Sequence, residues 1–240
     1  MGFSLSMSLE RERLSRDFAE RRFTQVRDVL IELDANRIFQ ALLADTEWNF
    51  VFTDRGKHVD MNSAQLEQLD AKHVNVLQKA IYAQAESSFQ YCYNNYPIYD
   101  AYKAGLNEGH VLHEFFEWIN GETFLDFARQ ITGFDDISFA DAQATRYKPG
   151  HFLTAHDDAA DDKNRRVAYV FGFSHDWPVD WGGILQLLDR NDNIRIGVRP
   201  EFNTLNLFAV PQRHNVSIVA PFAGGMRFSI SGWLRYGDPE

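Results

Sequence analysis

At 240 residues, 45% hydrophobic and 14% aromatic with 20 phenylalanines, the chain holds enough apolar material for a sizeable core and too much for a disordered polypeptide. A formal net charge of -10 excludes a general binder of nucleic-acid backbones, whose affinity comes from clustered Lys and Arg. The one cysteine, Cys92, excludes an internal disulfide and any CxxC metal or redox motif.

Phe23, Val26, Leu30 and Leu33 recur at spacings of three and four, which predicts a helix with one apolar face. WNFVFTD, residues 48–54, reads as a strand ending in a turn. From Ser63 to Tyr93 the helical spacing returns in Leu66, Leu69, Val74, Leu77, Ile81 and Ala85, which puts Cys92 on a helix as a small buried hydrophobe. Pro97, Gly105 and Gly109 break residues 95–109 into loop or short helix. A helix over Glu122–Ile131 should end at Gly133 as a C-terminal glycine cap.

From Ile137 onward the pattern changes to eight strand candidates: ISFADAQATRY, HFLTA, RVAYVFGFS, GILQLLD, NIRIGV, TLNLFAV, NVSIVA and MRFSISGWLRY. Gly, Pro, Asn and Asp separate them and leave no room for crossover helices, so the sheet should be antiparallel. The fold class is α+β, a double-stranded β-helix (jelly roll) core with an N-terminal helical support region. No low-complexity linker divides the chain, so residues 1–240 are expected as a single domain, 1–134 mainly helical support and 135–237 the jelly-roll core. No stretch has the apolar core of a signal peptide or the length of a membrane span, and a soluble, cytoplasmic protein is expected.

HFLTAHDDAADDKN, residues 151–164, runs an apolar strand into a histidine and four aspartates. On an extended strand, side chains two apart share a face, so His156 and Asp158 can reach one ion while Asp157 points away. His214, 58 residues later in VPQRHNVSIVAP, supplies a third ligand. Two imidazoles and one carboxylate on one side of an ion form the facial triad that leaves positions open on Fe(II). On the last long strand, alternation turns Arg227, Ser229 and Ser231 to one face and Phe228 and Ile230 to the other. An inward guanidinium needs an anion, and a carboxylate matches its fork.

The order His156-x-Asp158, His214, Arg227-x-Ser229 resembles the Fe(II)/2-oxoglutarate-dependent dioxygenases, specifically their prolyl 4-hydroxylase-like branch. YKPGHFLTAHDD, RRVAYVFGFSHDWPVDWGGILQLLD and RHNVSIVAPFAGGMRFSISGWLR look like that branch's core segments, with Trp177 and Gly182-Gly183 as punctuation. The resemblance implies that His156, Asp158 and His214 hold iron and that Arg227 pairs with the far carboxylate of 2-oxoglutarate. It implies that Ser229 adds a hydroxyl to that carboxylate and that Tyr147 lines the co-substrate pocket. One departure stands out: related hydroxylases often carry a tyrosine that helps bind 2-oxoglutarate where this chain has Gly172, and Tyr147 or Tyr169 would have to compensate.

The implied activity is hydroxylation of prolyl residues in a protein or peptide, consuming O2 and 2-oxoglutarate, releasing succinate and CO2, and using ascorbate as reductant. A small-molecule substrate stays open, and neither nucleic acid nor membrane is an expected partner. The rival readings are a non-catalytic metal-binding jelly roll serving as a binding or sensor module, and a cupin-like enzyme that needs no 2-oxoglutarate; Arg227-x-Ser229 disfavours the second. Among other polar residues, His110 and His113 lack the HExxH order of a zinc peptidase and are read as helix surface or core. Asp161 and Asp162 are read as a solvated loop, Arg165 and Arg166 as its counter-charge or a guide for an acidic substrate, and His175 as part of a turn.

Overall fold

The computed structural model describes residues 2–159 and 163–237. In chain order the elements are α1 (Arg11–Arg21), β1 (Phe23–Arg27), α2 (Glu32–Gln40), β2 (Asn49–Asp54), β3 (Lys57–Met61), α3 (Ser63–Glu67), α4 (Ala71–Ala85), β4 (Tyr91–Tyr96), α5 (Ile98–Lys103), α6 (Val111–Ile119) and α7 (Glu122–Thr132). The strands β5 (Ile137–Ala140), β6 (Gln143–Tyr147), β7 (Phe152–His156), β8 (Arg165–Phe173), β9 (Leu185–Leu188), β10 (Ile194–Val198), β11 (Phe202–Ala209), β12 (His214–Val216) and β13 (Arg227–Tyr236) follow.

Thirteen strands form one curled antiparallel sheet in the order β1-β11-β8-β13-β6-β4-β7-β12-β9-β10, with the β2–β3 hairpin hung on β4 and β5 on β13. This is the expected jelly roll, but the first half supplies four strands to it as well as helices. Phe23–Arg27 is a strand paired with β11 rather than the start of a helix. Arg22, in the left-handed conformation at φ 57°, closes α1, and the free edge of β11 captures the next residues. Leu33, expected on an apolar helix face, is exposed on α2. The long helix expected from Ser63 to Tyr93 is cut at both caps: an Asn62–Gln65 capping box starts α3 and Asp70 starts α4. Its last residues form β4, so Cys92 is buried on a strand, not on a helix. ISFADAQATRY divides into β5 and β6. The helix ending at Gly133, with φ 72° there, is as expected.

Strand alternation makes two compartments. On β8, Val167, Tyr169, Phe171 and Phe173 face the helices, where they join Leu14, Phe18, Ile38, Phe115, Phe124 and Ile131 in the main core. On β13, Phe228, Ile230 and Leu234 do the same. The opposite faces, carrying Ala168, Val170, Arg227, Ser229 and Trp233, line a cavity of about 670 Å³ inside the curl. No helix among the described residues is long and apolar enough to cross a membrane.

Phe171 joins the helical layer to the sheet through edge contact with Phe115 at 5.1 Å and with Phe124 at 5.7 Å. Phe171→Ala should therefore cost about 3–5 kcal/mol of stability, measured by urea unfolding.

Candidate active site

β7 and β12 are antiparallel neighbours, and their register sets His156 directly opposite His214. The two rings lie 4.2 Å apart by centroid. Asp158 closes the group: its carboxylate oxygens lie 3.2 Å from His156 Nε2 and 3.5 Å from His214 Nε2. One donor atom from each residue falls within 4.8 Å of the other two. The three side chains thus meet as expected, though by a different local geometry. β7 ends at His156, and Asp158 sits in the left-handed region at φ 62°. A turn, not strand alternation, brings its carboxylate back over the imidazoles. Asp161 and Asp162 lie outside the described residues.

Each imidazole is oriented by a backbone carbonyl. His156 Nδ1 donates to the Thr154 carbonyl at 3.0 Å and His214 Nδ1 to the Gln212 carbonyl at 2.7 Å. A carbonyl only accepts, so each Nδ1 carries the proton and each Nε2 lone pair is left for an ion. Burial, then the neighbouring His156, pushes the His214 imidazole down to about 4. Burial opposes ionisation of Asp158, but the two imidazoles that face it, His156 first, hold its carboxyl below the usual range. Two neutral nitrogens and one carboxylate are a donor set suited to Fe(II).

Deeper in the same cavity, Arg227 is 6% exposed, and no carboxylate pairs with it among the described residues. Its guanidinium carbon lies 4.9 Å from the centre of the Tyr147 ring, which in turn stacks on Tyr93 at 5.0 Å. Burial depresses the guanidinium's pKa from its ordinary value. A buried cation with no protein partner is costly unless a ligand supplies the anion. Ser229 is buried beside it, its Oγ 2.7 Å from Thr145 Oγ1.

Residues 142–235 match the 2OG-Fe(II) oxygenase superfamily. They form a 2OG-Fe(II) oxygenase domain. Over 120 residues the chain is 30% identical to the prolyl 3-hydroxylase OGFOD1 of Mus musculus, a match covering 47% of this chain but only 22% of the mouse protein. In structure the chain is similar to a prolyl-4-hydroxylase of Pseudomonas putida, with TM-score 0.59, 18% identity, 95% of this chain and 100% of the other covered. It is also similar to a Trichoplax adhaerens prolyl hydroxylase in complex with a hypoxia inducible factor peptide fragment, with TM-score 0.60, 15% identity, and 95% and 91% covered. The fold is that of the prolyl hydroxylases. The His-Asp-His donor set fits the iron of such a domain, and the unpaired Arg227 fits a dicarboxylate such as 2-oxoglutarate.

Gly172, where related enzymes often have tyrosine, has no room for a side chain. A Cβ there would lie 2.5 Å from the Glu201 carbonyl oxygen and 2.7 Å from Thr204 Oγ1. Tyr169 cannot take over, because it faces the helices and its hydroxyl donates to the Asp141 carbonyl at 2.6 Å. Tyr147 remains, lining the cavity beside Arg227.

Two cavity residues, Trp233 and Thr145, were not picked out from the sequence, and Arg165 has a role other than the counter-charge or substrate guide expected of it. Arg165 donates from Nη1 to the Asp158 carbonyl at 3.0 Å and lies 3.4 Å over the Trp233 ring. It buttresses the turn that carries the ligand, while Arg166 pairs with Asp136 at 2.6 Å on the surface. Trp233 and Thr145 share the inward face of their strands with Arg227 and Tyr147, a period-two signal that could have named both. The other histidines serve structure: His110 caps α6, His113 meets the Tyr96 hydroxyl at 3.0 Å, and His175 stacks on Phe202 at 3.8 Å.

Two outcomes follow from this geometry. Gly172→Ala should destabilise the protein by about 1–3 kcal/mol through overpacking against backbone, read as a lower melting temperature. His214 titrates at about 4 in the folded protein against about 6.5 in the unfolded chain, so the unfolded state takes up the proton first. The metal-free protein should then lose up to about 3 kcal/mol as pH falls from about 6.5 to about 4. His214→Gln should flatten the dependence of melting temperature on pH in that window.

Proposed function

We propose that the protein is an Fe(II)- and 2-oxoglutarate-dependent dioxygenase that hydroxylates prolyl residues of a protein or peptide. The observation that carries this reading is a buried, unpaired guanidinium, Arg227, in the same cavity as two Nε2 atoms and a carboxylate gathered within 4.8 Å. A metal-binding module that takes no dicarboxylate would have no use for that cation, nor would a cupin-like enzyme.

When bound, Fe(II) with O2 and 2-oxoglutarate supplies an oxidant for an unactivated C–H bond: one oxygen atom enters the product and the other enters succinate as CO2 leaves. The chain's own part is positional. His156, Asp158 and His214 would hold the metal. The Thr154 and Gln212 carbonyls fix which nitrogen each imidazole presents. Arg227 holds the far carboxylate of the co-substrate and so points its oxo acid end at the metal. Leu185, Val216, Phe208 and Tyr147 wall the site with apolar surface.

Support for a peptide substrate comes from the cavity's extent. Besides the metal ligands it is lined by Asn95, Pro97 and Tyr99 and by His58, Asp60 and Phe89, more surface than a single residue would need. The Trichoplax enzyme's peptide complex and the mouse protein's name agree with prolyl substrates. The carbon hydroxylated, C3 or C4, follows from which C–H bond faces the metal. A buried free thiol at Cys92 accords with a reducing cytoplasm.

The test is incubation with Fe(II), ascorbate, 2-oxoglutarate and a panel of proline-containing peptides, reading succinate release and a one-oxygen mass gain, with the product's regiochemistry by NMR. His156→Ala and Asp158→Ala should abolish both signals. Arg227→Ala should raise the 2-oxoglutarate concentration required by about a hundredfold. Full activity of an Asp158→Ala enzyme would remove the assigned ligand.

A further inference from the structure

A single guanidinium leaves a carboxylate free to tilt, so the far end of the co-substrate needs a second contact. Strand register shows where it comes from. Gly172 on β8 pairs with Thr204 on β11 and with Ser229 on β13, and Ser229 pairs with Thr145 on β6. These positions form one inward row, adjacent to the row in which Arg227 pairs with Tyr147. Within the row, Gly172 offers nothing and is covered by the Glu201 carbonyl and Thr204. Ser229 and Thr145 are 2% and 3% exposed and line the cavity with Arg227.

The two hydroxyls lie 2.7 Å apart. Their mutual hydrogen bond consumes one of two protons. The other acceptor within reach of Thr145, the Ser229 carbonyl, is 3.4 Å away, long for an O–H···O bond. One O–H donor is therefore left underused next to a buried cation that itself lacks an anion. A carboxylate on Arg227 would satisfy both, and a hydrogen bond to a charged acceptor is stronger than one to a neutral acceptor.

We propose that Thr145 and Ser229 act as a coupled hydroxyl pair that gives the far carboxylate of the 2-oxo diacid its second contact beside Arg227, replacing a side chain that position 172 cannot carry. The proposal rests on the co-substrate reading above and adds Thr145 as a binding residue.

The test is calorimetric titration of the full chain loaded with Mn(II), a stand-in for Fe(II), with two probes: 2-oxoglutarate, and 2-oxobutyrate, which lacks the far carboxylate. Thr145→Val keeps the shape and removes the hydroxyl. It should weaken 2-oxoglutarate binding about tenfold or more and leave 2-oxobutyrate unchanged, while Thr145→Ser restores wild-type affinity. Ser229→Ala should lose a similar factor, and the double variant little more than either single one, because the pair works as a unit. Wild-type affinity in both Thr145→Val and Ser229→Ala would overturn the proposal, as would equal weakening of both probes by them. If the wild type itself binds 2-oxoglutarate no tighter than 2-oxobutyrate, the co-substrate reading falls, and this proposal with it.

Discussion

The register between β7 and β12 is the constraint on which the site depends. It places His156 across from His214, and each imidazole is then locked by the carbonyl two residues before it in the chain. A slip of one residue would turn one ring out of the cavity and leave the metal two ligands. Every other part of the site is arranged around that pair: Asp158 folds back onto it through a left-handed turn, Arg165 and Trp233 brace the turn, and β13 aims Arg227 at the same space from the facing strand layer.

The sheet separates two tasks by alternation alone. Phe171 and Phe228 belong to a face that packs on helices and supplies stability; Val170, Arg227 and Ser229 belong to one that supplies chemistry. Two costly features of the site, the depressed Arg227 guanidinium and the buried His214 imidazole, lie on the second face. Such groups are tolerated because the first face is densely apolar. The cavity's polarity is therefore concentrated where a charged ligand would meet it, which is the usual sign of a binding site rather than of packing.

Much of this was readable from the residues. The two-residue period of RFSISGW puts Arg227 and Ser229 on one side and Phe228 and Ile230 on the other, because a strand has no alternative. The glycine cap at Gly133 is equally local. What was not readable depends on distant partners. FTQVR and YCYNNY become strands because β11, β6 and β7 present open hydrogen-bonding edges to them, and propensity within five or six residues does not report that. Asp158 was expected for the right reason of chemistry and the wrong one of geometry: Asp tolerates the left-handed turn it occupies, which the spacing alone does not reveal. Thr145 was hidden by plainness, since a hydroxyl on a strand acquires meaning only when its neighbour across the ladder is known.

β4, from the first half of the chain, lies between β6 and β7 and hydrogen-bonds to both. The stretch that carries the family's signature is thus interrupted in space by a segment some fifty residues earlier. Cut out alone, residues 135–237 would leave β6 and β7 each with a bare edge along the wall of the cleft, an invitation to pair with another molecule. The limits of the matched residues 142–235 are therefore not the limits of the fold: the vessel's wall is completed by a stave from outside them.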